Sequence, residues 1–125
     1  MLVRLLDSVI LIDHLNSVTQ ATEFLLALDP EKTAISVISY AEILTGLDEE
    51  GARKAGPLLS SFEMLEIDAA VAEKAASLRR QHGWKLPDAF QVAIAILHDI
   101  KLCTRNTKDF DPKKHPFIEI PYLLR

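Results

Sequence analysis

Cysteine is almost missing from this chain: Cys103 stands alone, so there is no internal disulfide and no thiolate metal cluster. Glycine is scarce and scattered, at positions 46, 51, 56 and 83, which excludes a glycine-rich phosphate loop. No apolar run is long enough to span a bilayer. From Met1 the chain enters an apolar strand pattern without a cationic stretch and small-residue cleavage site, so cytoplasmic residence away from membranes is the expectation. Positive charge is also short. Fourteen Lys and Arg against 18 Asp and Glu leave a net charge of −4, which argues against a broad basic face for nucleic acid. Contact with phosphates would have to be local or mediated by a metal cation. Repeats, low-complexity tracts and linkers are absent too, so residues 1–125 read as one domain with a single well-filled core.

What is present is an alternation of short apolar strands and helices. Leu2–Leu6 reads as a buried strand that delivers Asp7 to its carboxyl end, and Ser8–Leu15 as a helix that follows at once. Val18–Leu28 reads as a second helix, stopped at Asp29-Pro30. Thr33–Ser36 is a strand, and Val37–Leu47 a helix with Ile38, Ala41, Leu44 and Leu47 at helical spacing. Glu49–Ser60 is helical, with Gly56-Pro57 expected to kink or break it. Met64–Ile67 is a strand, and Asp68 caps a long helix from Ala69 to Gln81 that Gly83 stops. Pro87 opens the next helix, whose stretch Ala89–Leu97 is apolar nearly all round and therefore buried on most sides. Lys101–Thr104 is a strand, and Phe117–Ile120, bracketed by Pro116 and Pro121, an edge strand. Strands alternating with helices predict a parallel sheet covered on both faces.

Each notable acid has a plain structural explanation. Asp7 fits a helix N-cap. Ser39-Tyr40-Ala41-Glu42 matches a capping box, in which Glu42 folds back onto its own helix. Asp88 lies in a first turn, where the helix dipole favours negative charge, and Asp109 in a polar loop. Their placement argues otherwise. Asp7, Glu42, Asn106 and Asp109 all follow strand ends, the rim where parallel sheets build sites, and Asp88 at a helix start can face the same rim. Carboxylates gathered there repel by roughly 3 kcal/mol per pair at ~5 Å and an effective dielectric of ~20. An ionised cluster needs a cation, and all-oxygen ligands select Mg²⁺ or Mn²⁺. The four histidines, at 14, 82, 98 and 115, have no metal-binding spacing, which argues against zinc.

Leu5-Leu6-Asp7-Ser8-Val9-Ile10-Leu11-Ile12-Asp13, Ser39-Tyr40-Ala41-Glu42, Leu86-Pro87-Asp88-Ala89 and Thr104-Arg105-Asn106-Thr107-Lys108-Asp109-Phe110, in this order, resemble the PIN-domain ribonucleases, above all the VapC toxins of toxin–antitoxin modules. The likeness covers nearly the whole chain. It implies a three-layer α/β fold with a mostly parallel central sheet of four to five strands and helices on both faces. It implies a Mg²⁺-dependent endoribonuclease, Mn²⁺ being a substitute, with catalytic acids Asp7, Glu42 and Asp88 and a fourth position filled by Asp109 or by Asn106. Asp7 and Asp88 would hold the metal, with Ser8, Thr104, Arg105 and Asn106 as supporting groups or RNA contacts. An antitoxin protein and RNA are the implied partners. The apolar surfaces of Val18–Leu28 and Gly56–Phe62 suit a homodimer. Two departures stand out: Val9 replaces a small polar residue, and Asn106 replaces the acid that many relatives carry after the Thr-Arg pair. They motivate an alternative, a catalytically inactive PIN-like domain that binds protein. A phosphatase of the haloacid-dehalogenase type would need a second Asp where Val9 stands, and a response regulator would need a strand-end Lys that is not evident.

Overall fold

Four short apolar strands and a two-residue edge strand line up in one direction. A computed structural model describes residues 1–124. Among them, β1 (Arg4–Leu6), β2 (Thr33–Ser36), β3 (Glu63–Leu65), β4 (Lys101–Cys103) and β5 (Ile118–Glu119) form one sheet in the order β3-β2-β1-β4-β5. Every pairing is parallel, so the expectation of a mostly parallel sheet is met in full. Six α-helices connect them: α1 (Ser8–Leu15), α2 (Thr19–Leu26), α3 (Val37–Thr45), α4 (Glu49–Ser60), α5 (Ala69–His82) and α6 (Leu86–Leu97). No described helix is long and apolar enough to cross a membrane.

The period of two along each strand divides the core into two layers. Leu5, Ala34 and Leu102 pack with Val71, Ala75 and Leu78 of α5 and with Val92, Ala93 and Ile94 of α6. Their neighbours Leu6, Ile35 and Cys103 turn the other way, onto Ile10, Leu11, Leu25, Ile43, Ala55 and Leu59 of α1 to α4. Because both faces are covered, the central strands are apolar without alternation. Helix α6 is enclosed along its middle, with Ala89 and Gln91 to Ala95 all buried. Each large side chain it sequesters contributes roughly 1.5–3 kcal/mol.

Several boundaries differ from the sequence expectation. β1 starts at Arg4 instead of Leu2, α2 is trimmed at both ends, and α3 closes at Thr45 with Gly46 as its C-cap. β3 begins one residue early, β4 ends at Cys103, and α6 starts at Leu86 with Pro87 second. The edge strand shrinks to Ile118–Glu119. The expected break in α4 does not occur: the helix runs through Pro57. A proline ring disfavours helix at the preceding residue mainly by meeting its Cβ, and Gly56 has none. The missing Pro57 N–H forfeits one intrahelical hydrogen bond, and only three residues of the helix follow it.

Gly83 ends α5 in the left-handed region, at φ +73°, with its N–H on the Arg79 carbonyl at 2.8 Å. Gly83→Ala leaves the packing untouched but imposes a conformation that costs an L-residue about 1–2 kcal/mol. Urea unfolding should show a loss of that size, and an unchanged midpoint would refute the left-handed cap.

Candidate active site

In a right-handed β-α-β arrangement helices run antiparallel to the strands, so helix starts and strand ends share one rim. Asp7 lies there, one residue beyond β1. It occupies the N-cap position of α1 but makes no side-chain cap hydrogen bond. Its carboxylate instead accepts from Thr104 Oγ1 at 2.7 Å, while its backbone N–H donates to the Cys103 carbonyl at 2.9 Å. Thr104 is buried directly after β4 and also accepts the Asn106 N–H, at 3.1 Å.

Glu42 does not serve a capping box. The N-cap of α3 is Ser36, whose Oγ accepts the Ser39 N–H at 3.0 Å, so Ser39 lies inside the helix and the expected Ser39–Glu42 box is not formed. The Glu42 carboxylate is thereby released to the rim, where it accepts from Ser8 Oγ at 3.0 Å. The same hydroxyl lies 3.5 Å from Asp7. One proton cannot serve both acceptors, and the shorter contact to Glu42 is the stronger.

Asp88 sits in the first turn of α6, with Gln91 three residues on. Gln91 is buried: Ser36 Oγ donates to its Oε1 at 2.6 Å, and its Nε2 donates to Ser39 Oγ. Ser39 in turn donates to the Leu6 carbonyl at 3.4 Å. The ends of β1 and β2 and the starts of α3 and α6 are thus joined beneath the acids.

Asp7, Ser8, Val9, Glu42, Asp88, Arg105, Asn106, Thr107 and Lys108 line a single open cleft of about 430 Å³. Three of the four predicted acids therefore converge. Asp109 is exposed beside the cleft, its carboxylate accepting from the Asn106 amide at 3.0 Å while its own N–H donates to Asn106 Oδ1 at 3.2 Å. The charges of Asp7, Glu42 and Asp109 all act on Asp88, and that of Asp7 acts on Glu42. Burial raises the Asp7 pKa, against the lowering effect of the Thr104 and Ser8 hydrogen bonds. Burial and then the Asp7 charge raise that of Glu42, which the Ser8 hydrogen bond opposes. Asp88 is pushed from its ordinary 3.8 to about 6 by burial, then by the charges of Asp7, Asp109 and Glu42, with Lys85 opposing.

This donor set fits a hard divalent cation: all oxygen, no thiolate or imidazole, and carboxylates that resist joint ionisation. Among the described residues no three of His, Cys, Asp or Glu lie close enough to form a ready-made cage. Such a site suits an ion that keeps part of its water shell and takes only one or two protein carboxylates.

Four residues here lay outside the predicted set. Asp13 is buried and accepts two hydrogen bonds from Arg105, 2.5 and 2.9 Å, and a third from Tyr122 Oη at 2.8 Å. Trp84 Nε1 donates to the Asp109 carbonyl at 3.2 Å, anchoring the loop from its far side. Gln91 carried a signal: a lone amide in an otherwise apolar buried helix must find partners. Asp13, at the end of the apolar run of α1, carried the same signal. Tyr122 and Trp84 carried none that separates them from ordinary packing residues.

Residues 4–114 match the PIN domain family, and the chain belongs to that family. Within it, ribonuclease VapC10 of Mycobacterium tuberculosis is 31% identical over 122 residues, which cover 90% of this chain and 92% of that protein. A chain in a toxin–antitoxin complex from Klebsiella pneumoniae superposes with a TM-score of 0.89 at 36% identity, spanning 97% of this chain and 99% of that one. A chain of DNA-bound VapBC from Salmonella typhimurium shares the fold at 19% identity, TM-score 0.80, over 98% of this chain and 100% of that one.

The raised Asp88 pKa sets the sign of a pH effect. Between pH 3.8 and about 6 the folded protein keeps a proton that the unfolded chain releases, so stability falls as pH rises through that window. Above it, the carboxylate is ionised among like charges, and a native-state cation relieves the repulsion. Millimolar Mg²⁺ or Mn²⁺ should raise the melting temperature at pH 7.5, and the increment should shrink as pH drops below about 6. Asp88→Asn should be neutral or slightly stabilising without metal, and should weaken the response. A metal increment that ignores pH across this range would contradict the assignment.

Proposed function

We propose that this chain is a divalent-metal-dependent endoribonuclease, with Mg²⁺ as the expected ion, and the toxin of a toxin–antitoxin pair in the cytoplasm. The observation that carries the reading is the convergence of Asp7, Glu42 and Asp88 on one cleft of a PIN domain. Its relationship to a protein named ribonuclease VapC10 points the same way. Asp7 and Asp88 are the groups to hold the metal. When bound, a hard divalent cation supplies charge compensation for the carboxylates and for the negative charge that develops on a phosphodiester under attack. Glu42, which accepts a hydrogen bond from Ser8, would complete the metal's shell or orient the attacking water. Thr104 fixes Asp7, and Asn106 with Asp109 forms the remaining wall, Asp109 being the fourth acid through its influence on Asp88.

Purified protein should cleave single-stranded RNA only with a divalent metal, and Asp7→Asn or Asp88→Asn should remove nearly all of that activity while remaining folded. If Asp88→Asn unfolds the chain, or cuts RNA as fast as the parent, the catalytic assignment fails. Metal-independent silence of the parent, with a protein partner still bound, would favour the inactive binding module that Val9 and Asn106 suggest.

For the antitoxin, the cleft adjoins an apolar groove lined by Ile12, Leu15, Ile43 and Leu47 and reached by Glu42. This combination suits an inhibitor that lays an apolar segment in the groove and inserts an Arg or Lys among the acids, where a guanidinium replaces the cation. A co-complex with the rim left open would exclude that mode. Exposed Leu26 on α2, and a hollow lined by Tyr40, Leu59, Phe62 and Met64, support a homodimer. Light scattering should give twice the 14.0 kDa of one chain.

A further inference from the structure

A phosphodiester strand entering this cleft meets carboxylates on one side, and the cleft's own cations are Arg105 and Lys108. The two differ. Lys108 is exposed on its loop. Arg105 is held: its Nε and Nη2 donate to the two oxygens of Asp13 at 2.5 and 2.9 Å, and Tyr122 Oη donates to the same carboxylate at 2.8 Å. The Asp13 side chain is 7% exposed and that of Arg105 32%, so the pair is anchored at its acidic end and open at its basic end. Asp13 takes one edge of the planar guanidinium. Among the described residues Nη1 has no acceptor, and the Nη1–Nη2 edge remains a second fork with the geometry of a phosphate's two oxygens.

We propose that Arg105, fixed in advance by Asp13 and Tyr122, is the phosphate-positioning residue of this cleft. It grips a backbone phosphate of the RNA strand next to the one brought to the acids. The inference rests on the ribonuclease reading above and deepens it. Its logic is preorganisation: a free arginine loses rotamer freedom when it binds, whereas this one has already lost it in the folded protein. Asp13 offsets the Arg105 charge at long range without occupying the second edge, so the short, directed contact to a phosphate survives. A lysine in its place keeps the charge but lacks the planar fork, so it cannot hold Asp13 and a phosphate each by two parallel hydrogen bonds.

A purely structural clamp predicts something else. In that case Arg105 merely ties α1, the loop after β4 and the carboxyl-terminal segment together, and its replacement lowers stability without altering RNA affinity.

The test uses the full chain and a labelled single-stranded RNA. Cleavage kinetics are measured with Mn²⁺, and binding by fluorescence anisotropy is measured without metal over a salt series. Arg105→Lys should raise KM about tenfold, the size of one charge-assisted contact, with kcat within about twofold and the melting temperature near that of the parent. Arg105→Gln should lower the slope of log affinity against log salt by about 0.7, as for one lost phosphate contact on a single strand. Parental KM in Arg105→Lys overturns the proposal, as does a parental salt slope in Arg105→Gln. If Arg105→Gln fails to fold, the KM of Arg105→Lys decides. Should the parent cleave no RNA with any metal, the ribonuclease reading falls, while the metal-free salt slopes still judge Arg105.

Discussion

The buried Gln91 amide is the contact on which the geometry of the rim depends. Its oxygen takes the Ser36 hydroxyl and its nitrogen serves Ser39, which reaches on to the Leu6 carbonyl. Leu6 precedes Asp7, Ser39 lies one turn before Glu42, and Gln91 lies one turn after Asp88. One amide therefore sets the distances among the three elements that carry the acids. Each such bond contributes only about 0.5–1.5 kcal/mol net, but an amide left unpaired in this position costs about 1–3 kcal/mol, which makes the arrangement close to all-or-none. Among the described residues no buried side-chain nitrogen or oxygen lacks a partner, so the network is complete.

This rigidity holds together what electrostatics would separate. Asp7, Glu42 and Asp88 all have raised pKa values, and each of them is pushed upward first by burial. A chain selected for stability alone would place one apolar residue in such a position. The opposing contrast lies nearby: Asp13 is also a carboxylate beneath the surface, yet its pKa is lowered, because Arg105 and Tyr122 donate to it. Two kinds of acid on one helix are thus distinguished by their partners. Asp13 is satisfied and structural in effect, whereas Asp7 receives neutral donors and keeps an unmet demand for positive charge. That difference, more than burial, makes the rim a candidate site.

Much of this was legible in the chain itself. Element order, the helix Ser8–Leu15, the strand Thr33–Ser36, the Asp68 cap and the Gly83 stop follow from local rules, because short-range hydrogen bonding and backbone freedom decide them. Boundaries moved by a residue or two where tertiary pairing overrode propensity. The capping-box reading of Ser39 and Glu42 failed for a different reason: Ser36, three residues earlier, offers the same hydroxyl at the true helix start, and sequence alone does not rank the two. Gly56-Pro57 misled because each residue was read as a breaker by itself, while as a pair the glycine accommodates the ring. The acids were legible because their places on strand ends follow from topology. Ser8 and Thr104 were legible as supporting groups beside them, whereas Tyr122 and Gln91 were not, since their partners are chosen by approach angles between elements far apart in sequence.

The loop after β4 is held by the same kind of contact between distant elements. It is pinned at Thr104 to Asp7, at Arg105 to Asp13, and at the Asp109 carbonyl by Trp84, whose ring also packs edge-on against Phe110 at 5.1 Å between centroids. Between these pins, Asn106 lies in the cleft wall and turns its amide to the Asp109 carboxylate. A carboxylate at 106 would stand as one more charge beside Asp7 and Asp88. An amide there lowers the repulsion, and by donating to Asp109 it holds a carboxylate one step further out, where water screens it yet its charge still reaches Asp88. The Asp109 charge therefore stands outside the inner three. Its distance lets the three inner acids be assembled at a smaller electrostatic penalty, and it leaves the wall between Arg105 and Lys108 free of an acid that would oppose a phosphate.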